Sequence, residues 1–193
     1  MQSKAQLKDF VIHLLNEHLL ENYYYHNAEH TVYVMNRAIE IGKQEKCSEK
    51  EMELLIAAAL FHDTGFINIY EGHEEESCLL AKKYLPEFGF TKSEINRVCG
   101  MIMATKIPQS PKNKLEEIIA DADLAYLGTV HPEAKAENLF RELQSVNPDL
   151  SRDAWNKMQI SFLEMHRYFT KDFLQKKEPA KLAYLQKLKN AAG

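Results

Sequence analysis

The sequence predicts an all-α fold, and three observations carry that prediction. The chain has only seven glycines and six prolines among 193 residues, fewer than a turn-rich β-sandwich or β-barrel needs. Apolar residues recur at three- and four-residue spacing through most of its length. Two Ser/Thr-x-x-Glu sequences, at Ser48–Glu51 and Thr91–Glu94, are typical of helix N-termini.

The first half of the chain contains three predicted helices in succession. The helical period is present over 4–20 and again over 28–45. The capping box at Ser48 opens the third helix, whose run ELLIAAALFH is apolar nearly all round. A helix that is apolar on every side is expected to be buried, so we place this one at the centre of the molecule.

Beyond the third helix the pattern is interrupted by loops. A loop runs from Gly65 to about Gly72, and the next helix, 73–85, ends at Pro86. The capping box at Thr91 opens a helix that reaches about Thr105, before a proline-bearing loop. Further helices are predicted over 114–127, 131–146, 151–175 and 179–190. FINIY is the one β-like run, and it is short. We therefore expect eight or nine helices in one domain over 1–193.

Composition excludes several classes of function. The formal charge of −4 and the pI near 6.1 give no electrostatic basis for binding nucleic acid or an anionic membrane. Three scattered cysteines form no CxxC pair, which argues against a disulfide framework and for a reducing compartment. No signal-peptide core and no window of about 18 apolar residues occurs. We expect a soluble, cytoplasmic protein without a membrane partner.

Histidines and aspartates lie at helix ends in a pattern that indicates a site. His26 and His30 are four residues apart, and His62-Asp63 ends the apolar third helix. Asp121 and Asp123 lie within another apolar helix. A buried carboxylate is costly unless it is paired or binds a metal. Taken singly, each residue has a plainer role: Asp63 can cap a turn, His62 can bind a carbonyl, and a buried aspartate can pair with an arginine.

Together these residues form a mixed nitrogen and oxygen ligand set. Imidazoles and carboxylates suit a divalent Mn, Fe, Co, Ni, Zn or Mg ion rather than a soft-metal thiolate site. The cysteines lie elsewhere in the sequence, so a structural zinc finger is not expected.

The order H…HD…D in a helical chain resembles the HD superfamily of metal-dependent phosphohydrolases. The likeness covers roughly 25–128, the expected metal-binding core, and leaves additional C-terminal helices over about 130–190. It implies that His30, His62, Asp63 and Asp123 bind one metal ion tightly. Asp123 is preferred because ADLAYLG matches the family pattern. Asp121 is then the fallback ligand, or a partner that orients a histidine.

The segment YHNAEH, residues 25–30, is similar to the Y-H-N-x-x-H signature of helical cyclic-nucleotide phosphodiesterases. The resemblance implies that His26 donates a proton to the leaving oxygen, while His30 binds metal. Two residues four apart on one helix face project into one cleft, which agrees with that division of roles. A solvated or helix-capping role is the alternative for His26.

A second metal position is implied less completely. His73-Glu74 resembles the element that supplies a second-metal ligand in two-metal members of the superfamily. Those members place another histidine near the end of the following helix, where this chain has Thr105 and Lys106. We therefore expect a weaker second metal, completed by water or substrate. Lys106 is a candidate to meet a phosphate.

The resemblance implies hydrolysis of a phosphoester, monoester or diester, of a nucleotide or similar small metabolite, by a metal-activated water held at Asp63. Two alternatives remain: an HD-type di-iron oxygenase, and a non-catalytic module that senses a nucleotide. The expected partner is a small phosphorylated molecule. The amphipathic C-terminal helices are compatible with a homodimer.

Overall fold

A computed structural model describes residues 4–192, and ten α-helices run through this part of the chain. The helices are α1 (Leu7–His18), α2 (Ala28–Gln44), α3 (Glu49–Phe61), α4 (His73–Tyr84), α5 (Lys92–Thr105), α6 (Lys114–Asp123), α7 (Glu133–Val146), α8 (Arg152–Met165), α9 (Lys171–Lys176) and α10 (Glu178–Ala192). Short 3-10 turns follow α3, α4 and α6. No strand occurs among the described residues, which confirms the all-α prediction.

The helix starts follow from their capping residues. Both predicted capping boxes are present: the Ser48 and Thr91 side chains accept hydrogen bonds from Glu51 N–H and Glu94 N–H, and the glutamates accept in return. The Asn27 side chain likewise accepts from the N–H groups of Glu29 and His30 and begins α2. These local bonds fix where the site-bearing helices start.

Helix α3 lies at the centre, as its composition predicts. Every residue from Ala57 to Phe61 is fully buried, and α3 packs against α1, α2, α4, α5 and α6. The C-terminal helix α10 packs against α8 and α9. A smaller apolar cluster joins α7 to α8 through Ala136, Phe140 and Trp155. Throughout the part of the chain that the structure describes, each helix is too short or too polar to cross a lipid bilayer.

The structure corrects two local predictions. FINIY is no strand, because its first two residues end a 3-10 turn (Thr64–Ile67) that follows α3 after the two turn residues His62 and Asp63. The helix predicted over 151–175 is two helices, α8 and α9, separated by an extended segment at 166–170. Ten helices therefore replace the expected eight or nine.

Asp121 is the cause of the break between α8 and α9. Its carboxylate accepts hydrogen bonds from Phe169 N–H (2.9 Å), Thr170 N–H (2.8 Å) and the Thr170 hydroxyl (2.6 Å). If a helix continued through residues 169 and 170, these N–H groups would form hydrogen bonds within that helix. A buried carboxylate 48 residues earlier in the sequence overrides the local helical pattern here.

We expect Asp121→Ala to lower the free energy of unfolding by about 2–4 kcal/mol, because it leaves two backbone N–H donors unpaired. Urea denaturation at neutral pH measures this change. Thr170→Val removes the hydroxyl donor alone and is expected to cost less than half as much. Equal stability of Asp121→Ala and the wild type would contradict the role given to this carboxylate.

Candidate metal centre

Three packed helices bring the predicted ligands together. His30 lies in the first turn of α2, His62 and Asp63 follow the last residue of α3, and Asp123 ends α6. Each of these helices contacts the other two, so their ends converge. His30, His62 and Asp63 are buried, and the Asp123 side chain is 14% exposed.

The four side chains face one point. Nε2 of His30 lies 3.2 Å from Oδ1 of Asp123 and 3.4 Å from Nε2 of His62. Nε2 of His62 lies 3.0 Å from Oδ2 of Asp63. One ligand atom each from His30, His62 and Asp123 falls within a 4.8 Å span, close enough for a shared metal ion.

The donor atoms fit a cation. Nδ1 of His62 lies 2.9 Å from the Ala59 carbonyl, which only accepts, so when the ring is neutral Nδ1 carries the proton and the lone pair of Nε2 faces the group. Oδ2 of Asp63 is buried beside the Nε2 atoms of His62 (3.0 Å) and His30 (3.4 Å). With both imidazoles neutral the group carries two negative charges. A divalent ion would satisfy these lone pairs and balance that charge.

Titration of the metal-free group follows from the same contacts. Burial works to lower the pKa of His30 and His62, but the carboxylates of Asp63 and Asp123 outweigh it and raise the pKa of both imidazoles. Burial also opposes ionisation of the aspartates, yet the histidines lower the pKa of Asp63 well below its usual range and that of Asp123 to about 2. The carboxylates that would bind a metal ion with these imidazoles thus also favour the protonated rings.

We expect metal binding to release protons and to weaken as the pH falls. The raised pKa of His30 and His62 favours the protonated rings, and a metal ion binds only the neutral ring. Protons should therefore be released when the ion binds. Calorimetric titration in buffers of different ionisation enthalpy counts them. His13→Ala, at an exposed histidine of α1, is the matched control; binding without proton release would contradict this ligand set.

A second group of candidate ligands lies beside Asp63. Oδ1 of Asp63 lies 3.6 Å from Nε2 of His73. The same Nε2 atom lies 3.5 Å from Oε1 of Glu74, which is buried. The two oxygens of Asp63 thus face different ligand groups, which is the arrangement that a bridging carboxylate needs. Thr105 lines the same cavity, at the place where the sequence lacks a histidine.

Gly65 permits the close approach of α4 to these residues. A Cβ atom on Gly65 would lie 2.0 Å from the His73 carbonyl oxygen, so any other residue would displace the start of α4. The buried Ser77 hydroxyl donates to His62 C=O (2.7 Å) and accepts from Gly65 N–H (2.8 Å). Ser77 therefore ties α4 to the turn that carries His62 and Asp63.

His26 is held by a residue that the sequence did not reveal. Glu142, buried on α7, accepts a hydrogen bond from Nδ1 of His26 and from the N–H groups of Tyr25 (2.8 Å) and His26 (3.0 Å). Burial works to raise the pKa of Glu142, but these donors outweigh it and lower the pKa. Since Nδ1 of His26 is engaged by a carboxylate, Nε2 is the nitrogen left for other contacts.

Phe66 orients two of the histidine rings. It follows HDTG directly, and its ring stacks on His73 (centroids 3.8 Å apart) and on His26 (4.3 Å). His26 lies 6.0 Å from His30 between ring centroids, so the candidate proton donor and the candidate metal ligand stand side by side.

Two predicted residues are not brought to the group. The oxygens of Asp121 are engaged by residues 169–170, and although its three donors act in the opposite direction, burial raises the pKa of this carboxyl to about 6. The Lys106 ammonium is exposed and pairs with Glu75. The neighbours of Lys106 in sequence, Thr105 and Ile107, line the cavity at the metal group, whereas Lys106 does not.

A cavity of about 470 Å³ opens onto the group. Pockets of roughly 300–1,000 Å³ are the usual size for a small-molecule ligand. His26, Asp63, His73, Glu74 and Asp123 line one end of it, and residues of α7, α8 and α10 line the other. A small molecule in this cavity would contact the candidate ligands directly.

Solved structures share this fold. A predicted HD superfamily hydrolase from an uncultured Thermotogales bacterium is similar, with a TM-score of 0.62, 22% identity, and coverage of 96% of this chain and 92% of that one. Bacillus subtilis YpgQ, solved in complex with ADP, is similar with a TM-score of 0.66 and 18% identity, covering 97% and 94% of the two chains. At these identities the likeness concerns the fold.

Sequence comparison identifies the family. No curated protein matches the chain. The family model of the HD domain matches residues 27–125, a span that contains His30, the His62-Asp63 pair and Asp123. More than half of the sequence falls within that match, and the fold of the whole described chain agrees with it. The chain belongs to the HD domain family.

Proposed function

We propose that this protein is a divalent-metal-dependent phosphohydrolase that acts on a phosphoester of a nucleotide or a similar small metabolite. One observation carries the proposal: two buried imidazoles and the carboxylates of Asp63 and Asp123, on three helices, converge on one point at an open cavity. His30, His62, Asp63 and Asp123 would hold the ion, which is Mn, Fe, Co, Ni, Zn or Mg by its donor set.

The residues around the ion have separate tasks. When bound, the metal supplies a water of lowered pKa and a Lewis acid for a phosphoryl oxygen. Asp63 presents its second oxygen, Oδ1, toward His73 and can hold the attacking water in position. His26 faces the cavity with Nδ1 fixed by Glu142, so its protonated ring can donate from Nε2 to the departing oxygen.

A nucleotide as substrate is supported by one structural neighbour. B. subtilis YpgQ, of the same fold, binds ADP in its crystal structure. Five of the residues that line the cavity are histidines or acids, and its lining residues on α7 and α8 are mostly apolar. A molecule with a phosphate at one end and an organic body at the other matches that division.

A hydrolysis panel tests the proposal. Purified protein is stripped of metal and resupplied in turn with Mn, Co, Ni, Mg or Zn. It is then given nucleoside monophosphates, cyclic nucleotides and bis-p-nitrophenyl phosphate. We expect turnover that depends on the metal and is absent in Asp63→Ala, while Asp149→Ala, at an exposed loop residue, retains it.

Other outcomes would replace the proposal. Oxygen uptake by iron-loaded protein, without hydrolysis, would indicate the di-iron oxygenase. Saturable nucleotide binding with no turnover under any metal would indicate a sensor. Hydrolysis of monoesters alone would leave His26 a smaller role, whereas hydrolysis of diesters would agree with its role as proton donor.

A further inference from the structure

The cavity at the metal group has an apolar end that the chemistry just proposed does not use. This end, the apolar chamber, is formed by α7 and α8 and is lined by Leu139, Leu143, Trp155, Met158, Phe162 and Leu163. Trp155 and Leu163 are buried, while Met158 is 50% exposed at the rim. The chamber and the metal group line the same cavity, so a substrate that reaches the ion can place the rest of its structure here.

The charges that line the cavity restrict what can enter. Among the described residues no lysine or arginine lines it, and its acidic residues are Asp63, Glu74 and Asp123. The Lys106 ammonium is paired with Glu75, and the buried Lys181 is paired with Glu178 and the His166 carbonyl. A second phosphate group that enters the apolar chamber would therefore meet carbon atoms and no lysine or arginine, which makes its burial there unfavourable.

One polar pair interrupts the apolar lining. The Tyr184 hydroxyl donates a 2.9 Å hydrogen bond to Oε1 of Gln159. Burial raises the pKa of Tyr184 to about 12, so its hydroxyl stays protonated at neutral pH. Because the amide oxygen of Gln159 is engaged by Tyr184, the NH₂ group is what this amide offers to a ligand. A hydrogen-bond acceptor on the body of the substrate could accept from this NH₂ group.

We propose that the apolar chamber holds the uncharged body of the substrate, and that this protein selects compounds with one phosphoryl group on an apolar or aromatic body over compounds with two or more. The body carries a hydrogen-bond acceptor that Gln159 meets. A nucleoside monophosphate, a cyclic nucleotide and an aryl phosphate belong to this class, and nucleoside di- and triphosphates do not. The inference rests on the proposed function, since it assigns the phosphoryl group to the metal end.

Trp155 gives a direct measurement of this binding. It is the one tryptophan in the sequence and it lines the chamber, so its fluorescence reports a molecule that enters. Metal-loaded protein is titrated with methylphosphonate and benzylphosphonate, whose C–P bond is not hydrolysed, and with AMP and ADP at a constant free metal concentration. We expect benzylphosphonate to bind at least about tenfold more tightly than methylphosphonate, because it buries more apolar surface. AMP should bind more tightly than ADP.

A substitution at the rim tests the charge argument. Met158→Lys adds a cation at a half-exposed position, and Met158→Gln is its neutral control. We expect Met158→Lys, and not Met158→Gln, to reduce the preference for AMP over ADP at least threefold. Circular dichroism and the urea midpoint show whether both variants fold. Equal affinity of the wild type for AMP and ADP, or for the two phosphonates, would overturn the inference.

The two proposals fail in different ways. Binding that follows this order without hydrolysis of any substrate leaves the chamber's role intact and removes the proposed function. Hydrolysis that is indifferent to the substrate's body and to a second phosphate leaves the proposed function intact and removes the chamber's role.

Discussion

Asp63→Ala is expected to lose both the bound metal and turnover. The variant removes the residue whose two oxygens face His62 and His73, at the centre of both candidate ligand groups. Metal-ion stabilisation of the transition state is worth several kcal/mol, so turnover should fall on the order of 10³-fold or more. Metal content after gel filtration and kcat with the best substrate of the panel measure the two losses together.

Two further variants test whether the loss follows from the charge of Asp63 or from a general effect of removing an aspartate. Asp63→Asn keeps the size of the side chain and removes its charge, and we expect it to retain less metal than the wild type. Asp149→Ala changes an exposed aspartate and should alter neither quantity. If Asp63→Ala retains the metal and turns over substrate at the wild-type rate, the whole assignment of this centre is wrong.

His26→Ala is expected to reduce turnover by an amount that depends on the leaving group. A positioned general acid contributes about 10²–10⁴-fold when the departing oxygen needs a proton. An alkoxide needs that proton and p-nitrophenolate does not, so hydrolysis of a nucleotide should fall by this factor and that of a p-nitrophenyl ester by much less. Metal content should be unchanged, because the group that could hold a metal does not include His26.

Glu142→Gln is the companion of this variant. It removes the negative charge beside His26 while keeping an amide oxygen for the N–H groups of Tyr25 and His26. His26 loses the carboxylate that accepts from its Nδ1, so turnover of a nucleotide should fall, and that of a p-nitrophenyl ester by much less. An equal loss with both substrates would indicate a structural role for Glu142 and no influence on proton donation.

The sequence predicted what local patterns determine. Both capping boxes, the central apolar helix and the all-α class follow from bonds and periodicities within a few residues. The family motifs named His30, His62, Asp63 and Asp123 because these residues stand at fixed positions in short stretches. The structure brings the four together, and their role as metal ligands stays a prediction until metal binding is measured.

The remaining features depend on contacts between distant parts of the chain. The break after α8 depends on Asp121, and the fixing of His26 depends on Glu142, 116 residues away in sequence. In the sequence, Glu142 reads as an ordinary glutamate among the polar residues of an amphipathic helix. The burial of this glutamate can be recognised only from the tertiary structure, where packing places two backbone N–H groups and an imidazole against its carboxylate.

The helices that enclose the apolar chamber have a consequence for how relatives diverge. The family match ends at residue 125, whereas the six residues that line the chamber lie between 139 and 163. Selection can therefore change these helices, and with them the preferred substrate, while the metal-binding residues stay the same. Members of the family that share every metal motif with this chain are expected to differ in substrate wherever the positions equivalent to 139–163 differ. The substrate of one relative should accordingly be assigned to another only when residues at those positions agree. Agreement of the metal motifs is not enough.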